Sequence, residues 1–229
     1  MFRFGLARLL AAALIFAPAA GVSAANEPSP VIHMLFEGNH LKLTKEGQEL
    51  TYRFQRSVSH EKVLGGAFSD DIKLDIEKNK DGDKRDFAFK IFTGERARDP
   101  FLDHDREGNP LLLFYLDRSV NNFRSLAGGS LTYVKSRFMD ALQKSVASEP
   151  TKIDVGGKSV DATKLTIYPY ANDPNKAQMQ GYEGARFEIV VSEAVPGYFV
   201  EMASIYESKD KASPRLEERI VFVSEGEKK

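Results

Sequence analysis

The sequence predicts an α+β protein in which a curved antiparallel sheet, a half-barrel of roughly ten strands, packs on a central helix pair. Three observations lead to this fold class. Apolar and polar residues alternate in the first and last parts of the chain, apolar residues recur at helical spacing in the middle, and short turns join the alternating runs. Because short turns connect antiparallel strands, strands on both sides of a helical insert predict α+β architecture.

The strands of the first part are predicted from period-two alternation of apolar side chains. The alternation is clearest around Tyr52 and Phe54, and over residues 72–76 and 87–91. A turn at 45–48 is predicted to pair a strand over 41–44 with the strand that follows. Residues 79–83, which contain Asp81-Gly82, are predicted to form the turn of a second hairpin, since this dipeptide favours a positive φ.

Two consecutive helices are predicted in the middle of the chain, over residues 112–126 and 131–145. Apolar residues recur every three or four positions from Leu112 to Phe123, and Gly128-Gly129 interrupts the run. Ser130 then provides an N-cap for the second helix.

Alternation returns in the last part of the chain, over residues 164–168, 186–192, 198–207 and 216–223. The middle two runs are joined by Val195-Pro196-Gly197, where proline followed by glycine predicts a type II turn. These runs complete the predicted sheet.

Residues 1–25 have the pattern of a cleaved signal peptide, so residues 26–229 are expected to form a single exported domain. Arg3 and Arg8 form the basic region, residues 9–16 the apolar core, and small residues precede the cleavage point. An uncleaved membrane anchor is the alternative, but the apolar stretch is interrupted by Pro18 and is shorter than a spanning helix requires. The expected location is periplasmic or secreted, without stable membrane insertion.

Composition limits both the means of stabilisation and the classes of partner. The chain has no cysteine, which excludes disulfides, thiolate chemistry and a cysteine-linked lipid. Its net charge is −1, about −3 after cleavage, with acidic and basic residues interleaved. A nucleic-acid partner is therefore not expected, since such proteins carry a basic face.

The segment 94–110 is longer than an ordinary connection and is predicted to be a functional loop. Asp103, His104, Asp105 and Glu107 bring carboxylates and an imidazole close together, a composition suited to a hard cation or to proton transfer. A calcium loop is not matched, because Phe114 replaces its final bidentate glutamate. The alternative is a solvated acidic loop that leads into the first helix.

Aromatic side chains provide the candidate ligand-binding residues. Tyr168, Tyr170 and Tyr182 lie in a second long segment, 168–184, and each combines an apolar ring with a hydroxyl group. They suit a ligand or protein contact surface, although tyrosines that cover the end of the sheet would have the same pattern. Phe87 and Phe89 are expected to line an apolar cavity on the sheet.

The export signal, the two strand-rich parts and the helices over 112–126 and 131–145 resemble the LolA/LolB-like group of exported proteins. No motif residue is shared, and the central position of the helices and the lack of tryptophan depart from that group. The resemblance implies an incomplete antiparallel barrel, lined with apolar side chains, that carries lipoproteins or other hydrophobic ligands.

The sequence therefore favours a non-catalytic binding or carrier protein for an apolar small molecule, a lipid or an envelope protein. Common phosphate-binding, dinucleotide-binding, hydrolase and zinc-protease motifs are missing, and no cofactor is expected. Two alternatives remain. One is a hydrolase or metal-dependent enzyme centred on residues 103–107, and the other is a cell-envelope interaction module.

Overall fold

The first and last strands of the domain are neighbours in the middle of one sheet. The computed structural model describes residues 28–79 and 83–227. In that part of the chain nine antiparallel strands form one open, curled sheet in the order β4-β3-β2-β1-β9-β8-β7-β6-β5. The strands are β1 (Gln48–Val58), β2 (Phe68–Asn79), β3 (Arg85–Ile91), β4 (Phe101–Arg106), β5 (Ala147–Val155), β6 (Lys158–Ile167), β7 (Arg186–Val191), β8 (Phe199–Tyr206) and β9 (Leu216–Glu227).

The helices follow the sequence pattern closely. The two long helices are α3 (Leu111–Ala127) and α4 (Leu131–Lys144), and the Ser130 hydroxyl accepts a hydrogen bond from the Tyr133 amide at 3.2 Å as the predicted N-cap. The short helices are α1 (Pro30–Ile32), which continues into a π-helical turn (His33–Glu37), and α2 (Glu61–Leu64). In the described residues, no helix has both the length and the apolar character needed to cross a bilayer.

Side chains from the long helices fill the concave face of the sheet. The Tyr115 hydroxyl donates to the Ala203 carbonyl at 2.7 Å, and the Tyr206 hydroxyl donates to the Ser119 carbonyl at 2.8 Å. Phe138 of α4 packs edge-on against Phe187 with ring centroids 4.8 Å apart. Because buried aromatic rings occupy the middle of the half-barrel, the cavities described below open at its rims.

The predicted fold class is confirmed, and two local predictions need correction. Residues 41–44 form a turn, not a strand. Leu41 is buried while Leu43 is 42% exposed, and a strand would have placed both on one face. Asp81 and Gly82 of the predicted hairpin turn lie outside the described residues, although β2 and β3 do pair as a hairpin requires.

The segment predicted as a long functional loop contains an edge strand. Within residues 94–110, Gly94–Arg96 forms a 3₁₀ turn and Phe101–Arg106 forms β4. Among the strands that the structure describes, it pairs only with β3. Because most of its residues are exposed, neither face carries the apolar alternation from which a strand is predicted.

Candidate functional site

A groove of about 520 Å³ opens between β4, the π-helical turn and the first turn of α3. We call it the edge groove. Its volume lies within the range of roughly 300–1,000 Å³ that is typical of small-molecule sites. Its apolar lining consists of Leu35, Phe36, Phe87, Phe101, Leu112 and Leu113.

The edge groove is bordered by large apolar side chains that remain in contact with water. Phe101 is 53% exposed and Leu113 is 65% exposed. Leu113 also lines a neighbouring hollow of about 310 Å³ between α3 and α4, together with Leu116 and Met139. The apolar lining therefore continues from the edge of the sheet across α3 to α4, whereas isolated exposed apolar residues would be unremarkable.

A buried hydrogen-bond network fixes the floor of the edge groove. The Asn109 side-chain amide donates to the Gly197 carbonyl at 2.8 Å and to the Tyr52 hydroxyl at 3.0 Å. Its oxygen accepts from the Leu111 amide at 3.0 Å, at the start of α3. Asn109 therefore ties the beginning of α3 to β1 and to the turn between β7 and β8.

His40 extends this network in a single neutral tautomer. Its Nδ1 accepts a hydrogen bond from the backbone N–H of Asn109 at 3.3 Å, and its Nε2 lies 3.1 Å from the Met34 carbonyl oxygen. Since a carbonyl only accepts, Nε2 carries the proton. The ring stacks on Tyr198 with centroids 4.9 Å apart. Burial lowers the pKa of His40, although the Met34 carbonyl and the Glu193 charge partly oppose the shift.

We expect the free energy of unfolding to fall as the pH drops below about 6.5, the ordinary pKa of histidine. Below this pH the unfolded chain binds a proton at His40 that the folded chain does not. The expected loss is at most about 1.4 kcal/mol per pH unit, and it ends once the lowered folded-state pKa is passed. Above roughly pH 7, His40 is neutral in both the folded and the unfolded chain, so its titration no longer changes the free energy of unfolding.

Urea unfolding of the wild type, His40→Gln and His60→Gln across this pH range checks the expectation. His60 is exposed and provides the matched control. The His60→Gln variant should keep the wild-type pH dependence, and His40→Gln should have a flatter one. Parallel curves for the wild type and His40→Gln would contradict the assignment.

The acidic residues predicted to bind a cation lie at the rim of the groove. Asp103, Asp105 and Glu107 line it. However, the Asp103 carboxylate already accepts a hydrogen bond from the Arg106 guanidinium, with Nε of Arg106 2.8 Å from Oδ2 of Asp103. His104 does not line the groove, and its Nδ1 lies 3.3 Å from an Asp86 oxygen. In residues 28–79 and 83–227, no three His, Cys, Asp or Glu side chains are grouped to hold a metal ion. The cation site over these residues stays a prediction, and the structure shows Asp103 paired with Arg106.

The structure separates the predicted aromatic ligand-binding residues. Phe87 lines the edge groove, while Phe89 is buried against Phe114 with centroids 6.1 Å apart.

The three tyrosines lie in different environments, because two of them are in the core. Tyr170 stacks on Phe123 with centroids 3.7 Å apart, and the buried Tyr182 donates from its hydroxyl to the Pro214 carbonyl at 2.5 Å. Only Tyr168 is exposed. This agrees with the alternative in which tyrosines cover the edge of the core.

Sequence reasoning missed Phe36, Phe101 and Leu113 as groove residues. A usable signal was present for two of them. Leu113 lies off the apolar stripe of its helix, and Phe101 stands in a segment otherwise rich in charged residues. An apolar residue that no core position explains is a candidate for a binding surface.

Comparisons with known proteins reveal a distant structural likeness. No protein-family model matches the chain, and no curated protein sequence matches it. Among solved structures, the chain is similar to the crystal structure of the Mycobacterium tuberculosis lipoprotein LppX, with 7% sequence identity and a TM-score of 0.33. The match covers 76% of this chain and 84% of LppX.

Proposed function

We propose that this chain is a non-catalytic binding protein for an apolar or amphipathic small molecule of lipid type, which it holds in the edge groove. One observation carries the proposal: a groove of about 520 Å³ has six apolar lining residues, and the side chains of Phe101 and Leu113 border it while more than half exposed. Covering such side chains with an apolar ligand removes their surface from water, which is worth about 25 cal/mol per Å².

The groove also has the polar groups that would orient one end of an amphipathic ligand. Arg106 lies at the rim, and the backbone around Asn109 is held rigidly by the floor network. A few fixed polar groups within an apolar lining are typical of small-molecule sites. The proposal includes export, with cleavage after Ala24 or Ala25, as the pattern of residues 1–25 predicts.

Binding of N-phenyl-1-naphthylamine, an uncharged fluorescent dye that brightens in apolar sites, tests this function. We expect saturable binding to the wild type. Phe101→Glu and Leu113→Glu should each weaken it by about tenfold, because the bound dye would cover a carboxylate where it now contacts an apolar side chain. Val223→Glu is the matched control, since Val223 is exposed on β9 and does not line the groove. It should bind dye like the wild type.

Two results would contradict the proposal. The first is the absence of saturable dye binding to the wild type, with no lipid found by native mass spectrometry of protein purified from its own cells. The second is equal loss of binding in Val223→Glu and the groove variants.

The envelope interaction module remains the second candidate, because β4 is an edge strand with exposed Phe101 and Leu102. Such an edge could pair with a strand of a partner protein. If the interaction module is correct, the wild type should not bind the dye, and Phe101→Glu should lose binding of the partner protein. The same variants therefore separate the two functions.

A further inference from the structure

A second cavity, of about 560 Å³, opens where α2 and the connection between β3 and β4 approach the middle of α3. We call it the arginine pocket. It is lined by Arg56, Arg96, Arg98 and Arg118, together with Asn122, Phe68, Phe92 and residues 64–67. It shares no lining residue with the edge groove.

A single carboxylate compensates two of the four arginines. Glu218 binds both Arg56 and Arg118, and Nε of Arg118 lies 2.9 Å from Oε2 of Glu218. In the described residues, neither Arg96 nor Arg98 has a carboxylate partner. Glu95 and Asp99 flank them in sequence but do not line the pocket. The lining therefore carries an excess of positive charge that no neighbouring side chain neutralises.

Aromatic rings hold the guanidinium groups in position. The Arg118 guanidinium lies over the Phe54 ring, 4.9 Å from its centroid, and the Arg96 guanidinium lies 4.8 Å from the centroid of Phe68. Such contacts fix the plane of a guanidinium without using its N–H groups. Those of Arg118 bind Glu218, whereas those of Arg96 are available to a ligand. Positioned, planar donors are suited to the paired oxygens of an oxyanion.

Further unused donors line the same pocket. The side-chain nitrogen of Asn122 is shielded from solvent and lies beside the Tyr206 hydroxyl at the inner end of the pocket. The backbone N–H groups of Gly65, Gly66 and Ala67 donate to no group in the described part of the chain. A glycine-containing turn with free amides beside arginines is suited to binding a phosphate group.

We infer that the arginine pocket binds an oxyanion of the phosphate type, either inorganic phosphate or the phosphoryl group of a lipid. The guanidinium groups of Arg96 and Arg98 provide the charge that is not already compensated, and the backbone N–H groups of residues 65–67 provide neutral donors. This site is independent of the edge groove and does not rest on the function proposed above.

Amide spectra recorded during titration of the full chain test the inference. Inorganic phosphate, compared with chloride at equal ionic strength, should shift the resonances of Gly65, Gly66 and Ala67. Arg96→Gln and Arg98→Gln should each weaken this binding by about tenfold, because each removes a charge-assisted hydrogen bond. Arg124→Gln is the matched control, since Arg124 is exposed on α3 and does not line the pocket. It should leave the shifts unchanged.

Short-chain lipids distinguish the two sources of the oxyanion. If dihexanoyl phosphatidic acid binds tighter than inorganic phosphate while dihexanoylglycerol produces no shifts in the pocket, the pocket takes a lipid headgroup. Equal affinities would assign it to free phosphate. The absence of phosphate-specific shifts in the wild type, or equal weakening in Arg124→Gln, would overturn the inference. Neither result would affect dye binding in the edge groove.

Discussion

Replacing Glu218 by alanine is expected to reduce the free energy of unfolding by about 3–5 kcal/mol, the usual cost of breaking a buried ion pair. Glu218 is only 4% exposed, and it joins Arg56 of β1 and Arg118 of α3 to β9. Without it, two partly buried guanidinium groups lose their counterion. The substitution thereby removes a polar connection that holds α3 against the middle of the sheet.

Glu217→Ala provides a matched control on the same strand. Glu217 also contacts two arginines, with oxygens 3.0 Å from Arg219 and 3.2 Å from Arg215, but these pairs are in contact with water. Its loss should cost about 0–1 kcal/mol, as exposed ion pairs do. Urea unfolding followed by circular dichroism measures both variants. Similar losses for Glu217→Ala and Glu218→Ala would contradict the structural role assigned to the buried charge.

Gly197→Ala is the second substitution with a large expected effect. Gly197 has a φ of 82°, and an added Cβ would lie 2.4 Å from the Tyr52 hydroxyl and 2.6 Å from a methyl carbon of Leu50. Left-handed backbone costs a residue with a Cβ about 1–2 kcal/mol, and overpacking a core adds about 1–3 kcal/mol. The expected loss in the free energy of unfolding is therefore about 2–5 kcal/mol.

Gly157→Ala separates backbone strain from the steric clash. Gly157 has a φ of 80°, but no atom lies within 4 Å of the position of its Cβ. It should lose only the backbone contribution of about 1–2 kcal/mol. Urea unfolding of both variants gives the comparison. If Gly157→Ala is as destabilised as Gly197→Ala, the close approach of Tyr52 and Leu50 makes no contribution.

Local signals were sufficient for the helices and most hairpins. The first long helix was predicted over 112–126 and is observed as Leu111–Ala127, because a regular apolar stripe and Gly128-Gly129 define it within the sequence itself. The turn Val195-Pro196-Gly197 was also predicted. The Tyr198 amide donates to the Val195 carbonyl at 2.9 Å, and Gly197 has the required positive φ.

Long-range pairing could not be predicted from such signals. Strands β1 and β9 are neighbours although they are the first and last strands in the sequence. Their pairing extends from Gln48 with Glu227 to Val58 with Leu216. Alternation defines which face of each strand is buried, but it does not define which strands are neighbours. The exposed edge strand β4 was missed for a related reason, since its stability comes from pairing with β3 and not from an apolar face.

Both candidate sites are assembled from distant parts of the chain. The edge groove combines residues near positions 36, 101 and 113, and the arginine pocket combines residues near 56, 96 and 118. Only Phe87 and the acidic rim residues had been selected from the sequence. The remaining groove and pocket residues are brought together by strand order and by the packing of α3, neither of which a local pattern specifies.

Photo-cross-linking tests the central claim, that the edge groove holds an apolar ligand, most directly. A fatty acid with a diazirine in its chain would be bound to the full-length protein, irradiated, and its adducts mapped by peptide mass spectrometry. We predict adducts at Phe36, Phe101 and Leu113 that unlabelled fatty acid competes away. Adducts that do not saturate, or saturable adducts confined to peptides outside the groove, would contradict the proposed function.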